Sequence, residues 1–340
     1  MTTATKTLEA DAPRKARGAL ATPKRRRALL LVALVTIAVL VAAGRWLLLP
    51  SAGAEPDPPV DPARAVPPAH VGFAIVKTAR MFVRQGLVFE GGDLTKVVEN
   101  DFSAFLVKHD DAYFLFDAGL GRHIDAQYRA DMPLWQRLTF RYDPPVSPAR
   151  DQLERAGGPP IDRIILSHSH WDHAAAIEDF PAAEIWVPRE ELEVIRHPSS
   201  NGGGAWPSQV SGAAIRWKTF DFTSGAYEGF ARSHDLFGDG RVVLVPLFGH
   251  TPGSVGLFVT VDSGKRFFFC GDAVWSAAAI AEARPRLGIA RSIADKDPSA
   301  ADRVLGELRA LHERNPDLVI IPAHDGAVQR ALGYFPAWVR

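Results

Sequence analysis

Hydrophobicity along the chain changes character twice. Ala28 to Ala43 is sixteen residues without a charge, proline or glycine, and counted through Leu49 the apolar stretch reaches 22 residues. It carries no amphipathic stripe, which argues against a core helix with one wet face. As a helix it can cross roughly 30 Å of hydrocarbon, with Arg45 reaching toward the far interface. Pro50 to Pro68 then holds seven prolines and reads as an extended tether. From Val71 onward the pattern is globular. Short β-like runs predict strands at 71–77, 103–108, 112–117, 163–167, 184–187, 241–246, 254–261, 266–270 and 317–322, and helical spacing predicts helices at 148–155, 172–178, 189–196 and 299–314. Residues 198–240, rich in Gly and Ser around Asn201 to Gly204, fit neither period and are expected to be a surface excursion. Strands interleaved with helices predict an α/β domain whose sheets are covered by helices.

Charge divides the 340 residues at the same place. The whole chain has 39 basic and 39 acidic side chains, but residues 1–54 hold nine basic residues against Glu9 and Asp11, a net of +7. Residues 55–340 therefore hold 30 basic against 37 acidic, a net of −7. The expected organisation is a basic cytoplasmic leader (1–27), a transmembrane anchor or signal (28–49), a proline-rich tether (50–69) and a globular domain (70–340). Lys24 to Arg27 beside the apolar run places the following domain on the non-cytoplasmic side, membrane-anchored or exported: periplasmic or extracellular in a bacterium. Ala52-Gly53-Ala54 has the small-x-small form of a cleavage site, while the length of the apolar run favours an anchor. A domain of net −7 is a poor partner for nucleic acid. The single cysteine, Cys270, excludes an intramolecular disulfide and any multi-thiolate metal site.

The chemistry concentrates in Ser167-His168-Ser169-His170-Trp171-Asp172-His173, where an apolar strand ends in three His and one Asp. Alternate residues at an extended strand end point the same way, so His168 and His170 can grip one ion, and a turn into a helix directs Asp172 and His173 to a neighbouring position. His250, Asp272 and His324 each follow another β-like run beside Gly or Pro, where a strand delivers a side chain to a common site. The remaining histidines, His70, His109, His123, His197, His234 and His312, are expected to be solvated or structural. Cys270 is expected to be a small buried residue, since Asp272 nearby raises a thiol pKa.

In this series of motifs, from the strand before Asp117 to that before His324, the sequence resembles the metallo-β-lactamase superfamily. The resemblance implies a four-layer αβ/βα sandwich with two divalent metal ions between the sheet edges. It implies His168, His170 and His250 on the first ion, Asp172, His173 and His324 on the second, Asp272 bridging both, and Asp117 supporting the site from behind. Imidazole and carboxylate donors suit Zn2+, and iron or manganese is compatible. The expected activity is attack of a metal-bridging hydroxide on a carbonyl, with Asp172 or Asp272 relaying the proton.

Spacings of 77, 22 and 52 residues along His173, His250, Asp272 and His324 are similar to those of N-acyl homoserine lactone lactonases. The sequence departs from that branch at Trp275, where those enzymes carry a tyrosine, and at Ala174-Ala175-Ala176, where they carry a glycine pair. Trp275 is an expected pocket residue that cannot act as a phenolic acid. A lactone or other ester is the leading substrate class, with a thioester or β-lactam, or a non-catalytic or mononuclear-iron redox role, as alternatives. Tyr128, Trp135, Phe140, Tyr142, Trp206 and Phe222 are candidate pocket walls for a lipophilic acyl group. The oligomeric state is not encoded in these patterns.

Overall fold

The computed structural model describes residues 23–50, 57–59, 61 and 64–340, with side chains from Leu29 onward. The leader up to Thr22 and the Ala52-Gly53-Ala54 motif lie outside the described residues. Chain contacts separate two units, dividing between Trp46 and Leu47. A helix spans Pro23–Leu48; its segment Leu29–Leu48 has a mean hydropathy of 2.3 and is unburied, the one described helix long and apolar enough to cross a membrane.

The second unit holds two sheets. β1 (Val71–Arg84), β2 (Val97–His109), β3 (Ala112–Phe116), β4 (Arg163–Ile165), β5 (Glu184–Pro188) and β6 (Arg216–Phe220) form the first, in chain order. β7 (His234–Asp235), β8 (Val242–Pro246), β9 (Val255–Thr260), β10 (Arg266–Phe269) and β11 (Val319–Ile321) form the second, in the order β11-β10-β9-β8-β7. β3 to β6 run parallel to one another, as do β10 and β11; the other pairs are antiparallel.

Period-2 alternation explains how the sheets stack. Phe73, Ile75, Phe105, Val107, Phe114 and Phe116 point from the first sheet into a core shared with Leu244, Leu257, Phe267 and Phe269 of the second. Phe73 meets Phe267 and Phe269 edge-to-face, both at 4.9 Å between centroids, and each fully buried phenyl contributes roughly 1.5–3 kcal/mol. The intervening residues Ala74, Val76, Ala104 and Leu106 face outward, where Leu153, Ala174 and Ile195 from helices cover them. On the far side Val243, Val245, Phe258 and Phe268 pack under Val304, Leu308 and Leu311 of the helix Pro298–Arg314. That helix buries one stripe and starts with Asp297 accepting the Ala300 N–H at its N-cap.

Three expectations change. The first two strands run on past their predicted ends, to Arg84 and from Val97, because Arg80, Arg84, Asn100 and Asp101 interrupt the apolar alternation and a bulge shifts register between Lys77 and Ala79. The excursion at 198–240 is not confined to the surface. It supplies β6 and β7, and Trp206 is fully buried with its Nε1 donating to the Asn201 carbonyl at 2.8 Å. The predicted helix at 172–178 breaks into Trp171–Ala174 and a 3-10 turn at Ile177–Asp179. The tether also gains anchors: Lys77 Nζ donates to Asp57 at 2.7 Å, and the Trp338 N–H to the Arg64 carbonyl at 2.6 Å.

Candidate metal centre

Five strands deliver the predicted site residues. Asp117 follows β3, His168 to His173 follow β4, and His250, Asp272 and His324 follow β8, β10 and β11. All seven expected ligands are buried, at 1–8% exposure, in two sets of donors together with one that joins them. Donor atoms of His168, His170 and His250 lie within 4.8 Å of one another, as do those of Asp172, His173 and His324, and those of His168, His173 and Asp272.

The geometry fits cations better than an internal hydrogen-bond network. The Nε2 atoms of His168, His170, His173 and His250 and Oδ1 of Asp272 are buried with no hydrogen-bond partner. Asp272 Oδ1 stands 3.3 Å from His173 Nε2 and 3.1 Å from His324 Nε2 without hydrogen-bond alignment. Leaving several such groups unmade costs about 1–3 kcal/mol each, unless something else satisfies them. Meanwhile Nδ1 of four rings is held from behind: His168 by Ser167 Oγ at 3.0 Å, and His173, His250 and His324 at 2.8 Å by Asp117 Oδ2, Asp295 Oδ1 and the Asp101 carbonyl. Fixing Nδ1 aims Nε2 at the centre, as metal ligation requires.

Local backbone chemistry explains this aim. Asp117 sits at φ 58°, a left-handed conformation unusual for a non-glycine residue. Its carboxylate accepts the Ser167 N–H at 2.6 Å, the Ser167 hydroxyl at 2.8 Å and the His173 Nδ1 contact, which hold the strained turn in place. Gly271, at φ 52°, lets the chain after β10 pass so close to Ser167 that a Cβ would lie 2.9 Å from the Ser167 Cβ.

Electrostatics divides the donors into two kinds. Burial pushes the imidazoles of His168 and His170 well below their ordinary range, reinforced by neighbouring imidazoles, and lowers that of His250, reinforced by Arg286. Burial also works to lower His173 and His324, yet carboxylates override it: Asp117, Asp172 and Asp272 raise His173 well above the ordinary range, and Asp272 and Asp172 raise His324 to about 10. In return, against its own burial, the Asp272 carboxyl is held well below the usual carboxylate range by His324 and His173.

Sequence reasoning missed three supporting residues. Asp295 bonds His250 and also accepts from buried Arg286 Nη1 at 2.7 Å. The Arg286 guanidinium lies 4.8 Å from the ring centre of Trp275, whose Nε1 donates to Asp272 Oδ2 at 2.7 Å. Glu191, fully buried, accepts from the Ser169 N–H and hydroxyl, the Thr251 hydroxyl and the Gly253 N–H, tying the His168 loop to the His250 loop. Burial nonetheless raises its pKa. In sequence Glu191 looks like any first-turn helix acid and Asp295 like a capping residue, so only the fold distinguishes them.

The pocket above the centre is lined by Met81, Phe82, Phe102, Phe140, Trp171 and Trp275. Of the candidate walls, Phe140 lines it directly. Tyr128 and Trp206 instead pack around Trp171, with Trp206 stacked on it at 5.3 Å, while Phe222 packs against Phe220 and Phe248. Met81, Phe82 and Phe102 come from the strand extensions that Arg80, Arg84, Asn100 and Asp101 concealed. Cys270 is buried, its thiol pushed up by burial and by Asp272.

Comparisons with known proteins agree with this geometry. The chain is 27% identical over 178 residues to N-acyl homoserine lactonase AttM of Rhizobium radiobacter, covering 51% of this chain and 64% of that protein, just under two thirds of its length. It is 30% identical over 240 residues to a protein of Mycobacterium tuberculosis named as a probable metallo-hydrolase, covering 65% of this chain and 73% of that one. A structure of N-acyl homoserine lactone hydrolase with N-hexanoyl-L-homoserine at its catalytic metal center superposes with a TM-score of 0.60 at 18% identity, over 80% of this chain and 100% of that one. The Metallo-beta-lactamase superfamily profile matches residues 102–324, which run from the β2 wall of the pocket to the last of the convergent histidines, and the chain belongs to that superfamily.

Proposed function

We propose that this protein is a dinuclear metal-dependent hydrolase that opens a lactone or other carboxylic ester bearing a lipophilic acyl group. The observation that carries the reading is the convergence of buried, unpartnered imidazole nitrogens and a carboxylate oxygen whose opposite ring atoms are already engaged. His168, His170 and His250 would hold one ion and Asp172, His173 and His324 the other, with the Asp272 carboxylate within reach of both sets. Zn2+ suits this donor set, with iron or manganese as compatible substitutes. When bound, the ions supply a Lewis acid for the carbonyl and lower the pKa of attacking water.

The chain's own residues do the rest. Asp172 lines the pocket and is assigned the proton that passes to the leaving oxygen. Trp275 cannot supply that proton; its indole N–H holds Asp272 Oδ2 and fixes the carboxylate's orientation. Met81, Phe82, Phe102 and Phe140 form an apolar wall for an acyl chain and exclude water from it. The helix Leu29–Leu48 anchors the domain on the non-cytoplasmic side, supported by its length, its apolar surface and the basic run before it.

The test is metal analysis of the purified chain, followed by assays on acyl lactones, esters, thioesters and β-lactams with and without chelator. Two metal equivalents and chelator-sensitive lactone or ester hydrolysis are expected. A single iron with no hydrolysis of any substrate overturns the proposal.

A further inference from the structure

Five large apolar side chains are exposed between residues 70 and 340, and four of them occupy two segments at the pocket mouth. Leu134 is 78% exposed, Trp135 71%, Leu138 51% and Ile289 70%; the fifth is Leu94, whose side chain lies over Gly86. Leu138 and Ile289 also line the pocket itself, on the same surface as Met81, Phe82, His170 and Asp172. The segment from Pro133 to Thr139 is a succession of tight turns, with the Gln136 N–H on the Pro133 carbonyl at 2.9 Å and the Thr139 N–H on Gln136 at 3.0 Å. Leu134, Trp135 and Leu138 are all left exposed along this run of turns. A soluble domain gains nothing by holding such side chains in water around its active-site opening.

We infer that this rim is a membrane-contact surface that seats in the interface of an anionic phospholipid bilayer, so that acyl substrates pass from lipid directly into the pocket. The inference rests on the anchored-hydrolase reading above. Two further observations select a bilayer as the occupant. Leu48, the end of the apolar helix, and Asp57, bound to Lys77, are nine residues apart, so the covalent chain keeps the domain within ~30 Å of the helix end. The charge beside the exposed apolar residues also differs from that of the domain. Residues 55–340 are net −7, yet Arg129 and Arg137 flank Leu134 and Trp135 with Asp131 as the one acid in segment 129–141, while Arg141, Arg286 and Arg291 are paired with Asp143, Asp295 and Asp302. Exposed tryptophan and leucine flanked by arginine is the composition that partitions into a headgroup layer over anionic lipid.

The single native cysteine is buried, so an introduced thiol can be labelled selectively. The full chain carrying Leu134→Cys is labelled with an environment-sensitive fluorophore and reconstituted in phosphatidylethanolamine–phosphatidylglycerol vesicles doped with spin-labelled lipid. Asp111→Cys, in the exposed β2–β3 turn at the opposite end of β3 from Asp117, is the control. The expected result is strong quenching at position 134, weak quenching at 111, and a loss of quenching at 134 in the Trp135→Ser background. Equal quenching at the two sites overturns the inference, because tethering alone then accounts for it. So does energy transfer between labelled copies at 134, which makes the rim an interface between chains. Trp135→Ser is also expected to slow hydrolysis of a bilayer-dissolved long-chain ester by about tenfold relative to a water-soluble short-chain one; an unchanged ratio counts against lateral entry. Quenching requires no turnover, so a chain that quenches but binds no metal and hydrolyses nothing refutes the hydrolase reading and leaves the surface standing.

Discussion

The two sides of the centre are built from the same residue type and behave in opposite ways. On one side His168, His170 and His250 are driven down, all three by burial, His168 and His170 also by neighbouring imidazoles and His250 by Arg286. On the other, His173 and His324 sit against Asp117, Asp172 and Asp272 and are driven up. A buried histidine is thus not one chemical object: where burial and neighbouring cations outweigh any carboxylate, as at His250 beside Asp295 and Arg286, it is a ready ligand, and where carboxylates win it holds a proton that a cation must displace. Asp272 touches both sides, with Oδ2 3.6 Å from His250 Nε2 and Oδ1 near His173 and His324.

The largest effect should come from removing that shared residue. Asp272→Ala should abolish the distinction between the sides and cost several kcal/mol of transition-state stabilisation, on the order of 10^3-fold in kcat/KM, measured by initial rates on the best ester or lactone. Retained activity would break the comparison at its centre.

Cutting behind the rings should act on one side at a time. Asp295→Asn replaces the charged acceptor that orients His250 with a neutral amide, and Asp117→Asn does the same for His173. Each is expected to weaken metal affinity by about 10–100-fold, measured by competition with a chromophoric chelator, with one of the two binding steps affected in each variant. If both variants weaken both steps equally, the two sides act as one cooperative unit.

Proton counting sharpens the contrast without any mutation. The raised groups are protonated at pH 7 and the lowered ones are not, so metal uptake by the metal-free protein should release about two protons, from His173 and His324. Calorimetry in buffers of different ionisation enthalpy measures the number. Release from His324 should vanish as pH rises through about 10, where that ring is already deprotonated.

The smallest effect belongs to a control outside both sides. Asp262 accepts the N–H groups of His70 and Val71 and a bond from Arg241; although burial opposes it, these hold its pKa at about 2, below the ordinary 3.8. A depressed carboxyl stabilises the fold above its unfolded pKa, and that contribution is lost as pH falls from about 4 through about 2. Asp262→Ala should cost about 1 kcal/mol at neutral pH, seen as a lower Tm, with metal stoichiometry unchanged.

Legibility followed locality. The strand ends carrying His168 to His173, His250, Asp272 and His324 could be read because apolar runs stop abruptly at them, and Asp117 because its run ends in the same way. Phe82 and Phe102 could not be read as pocket walls, since the β1 and β2 extensions mix arginine, asparagine and aspartate into the alternation. Trp206 looked like part of a surface loop because its neighbours are glycines and serines; its burial depends on Trp171 and Tyr128, far away in sequence.

By itself the sequence determined the apolar helix with its charge asymmetry, the α/β character of the domain and the identity of the convergent donors, because each is written in the spacing of neighbouring residues. Tertiary structure alone decided which imidazoles hold protons, which buried carboxylates, Asp295 and Glu191, support the loops, and where the exposed apolar residues gather. Those depend on distances between segments tens to hundreds of residues apart, and both electrostatic and apolar contacts act only at close range.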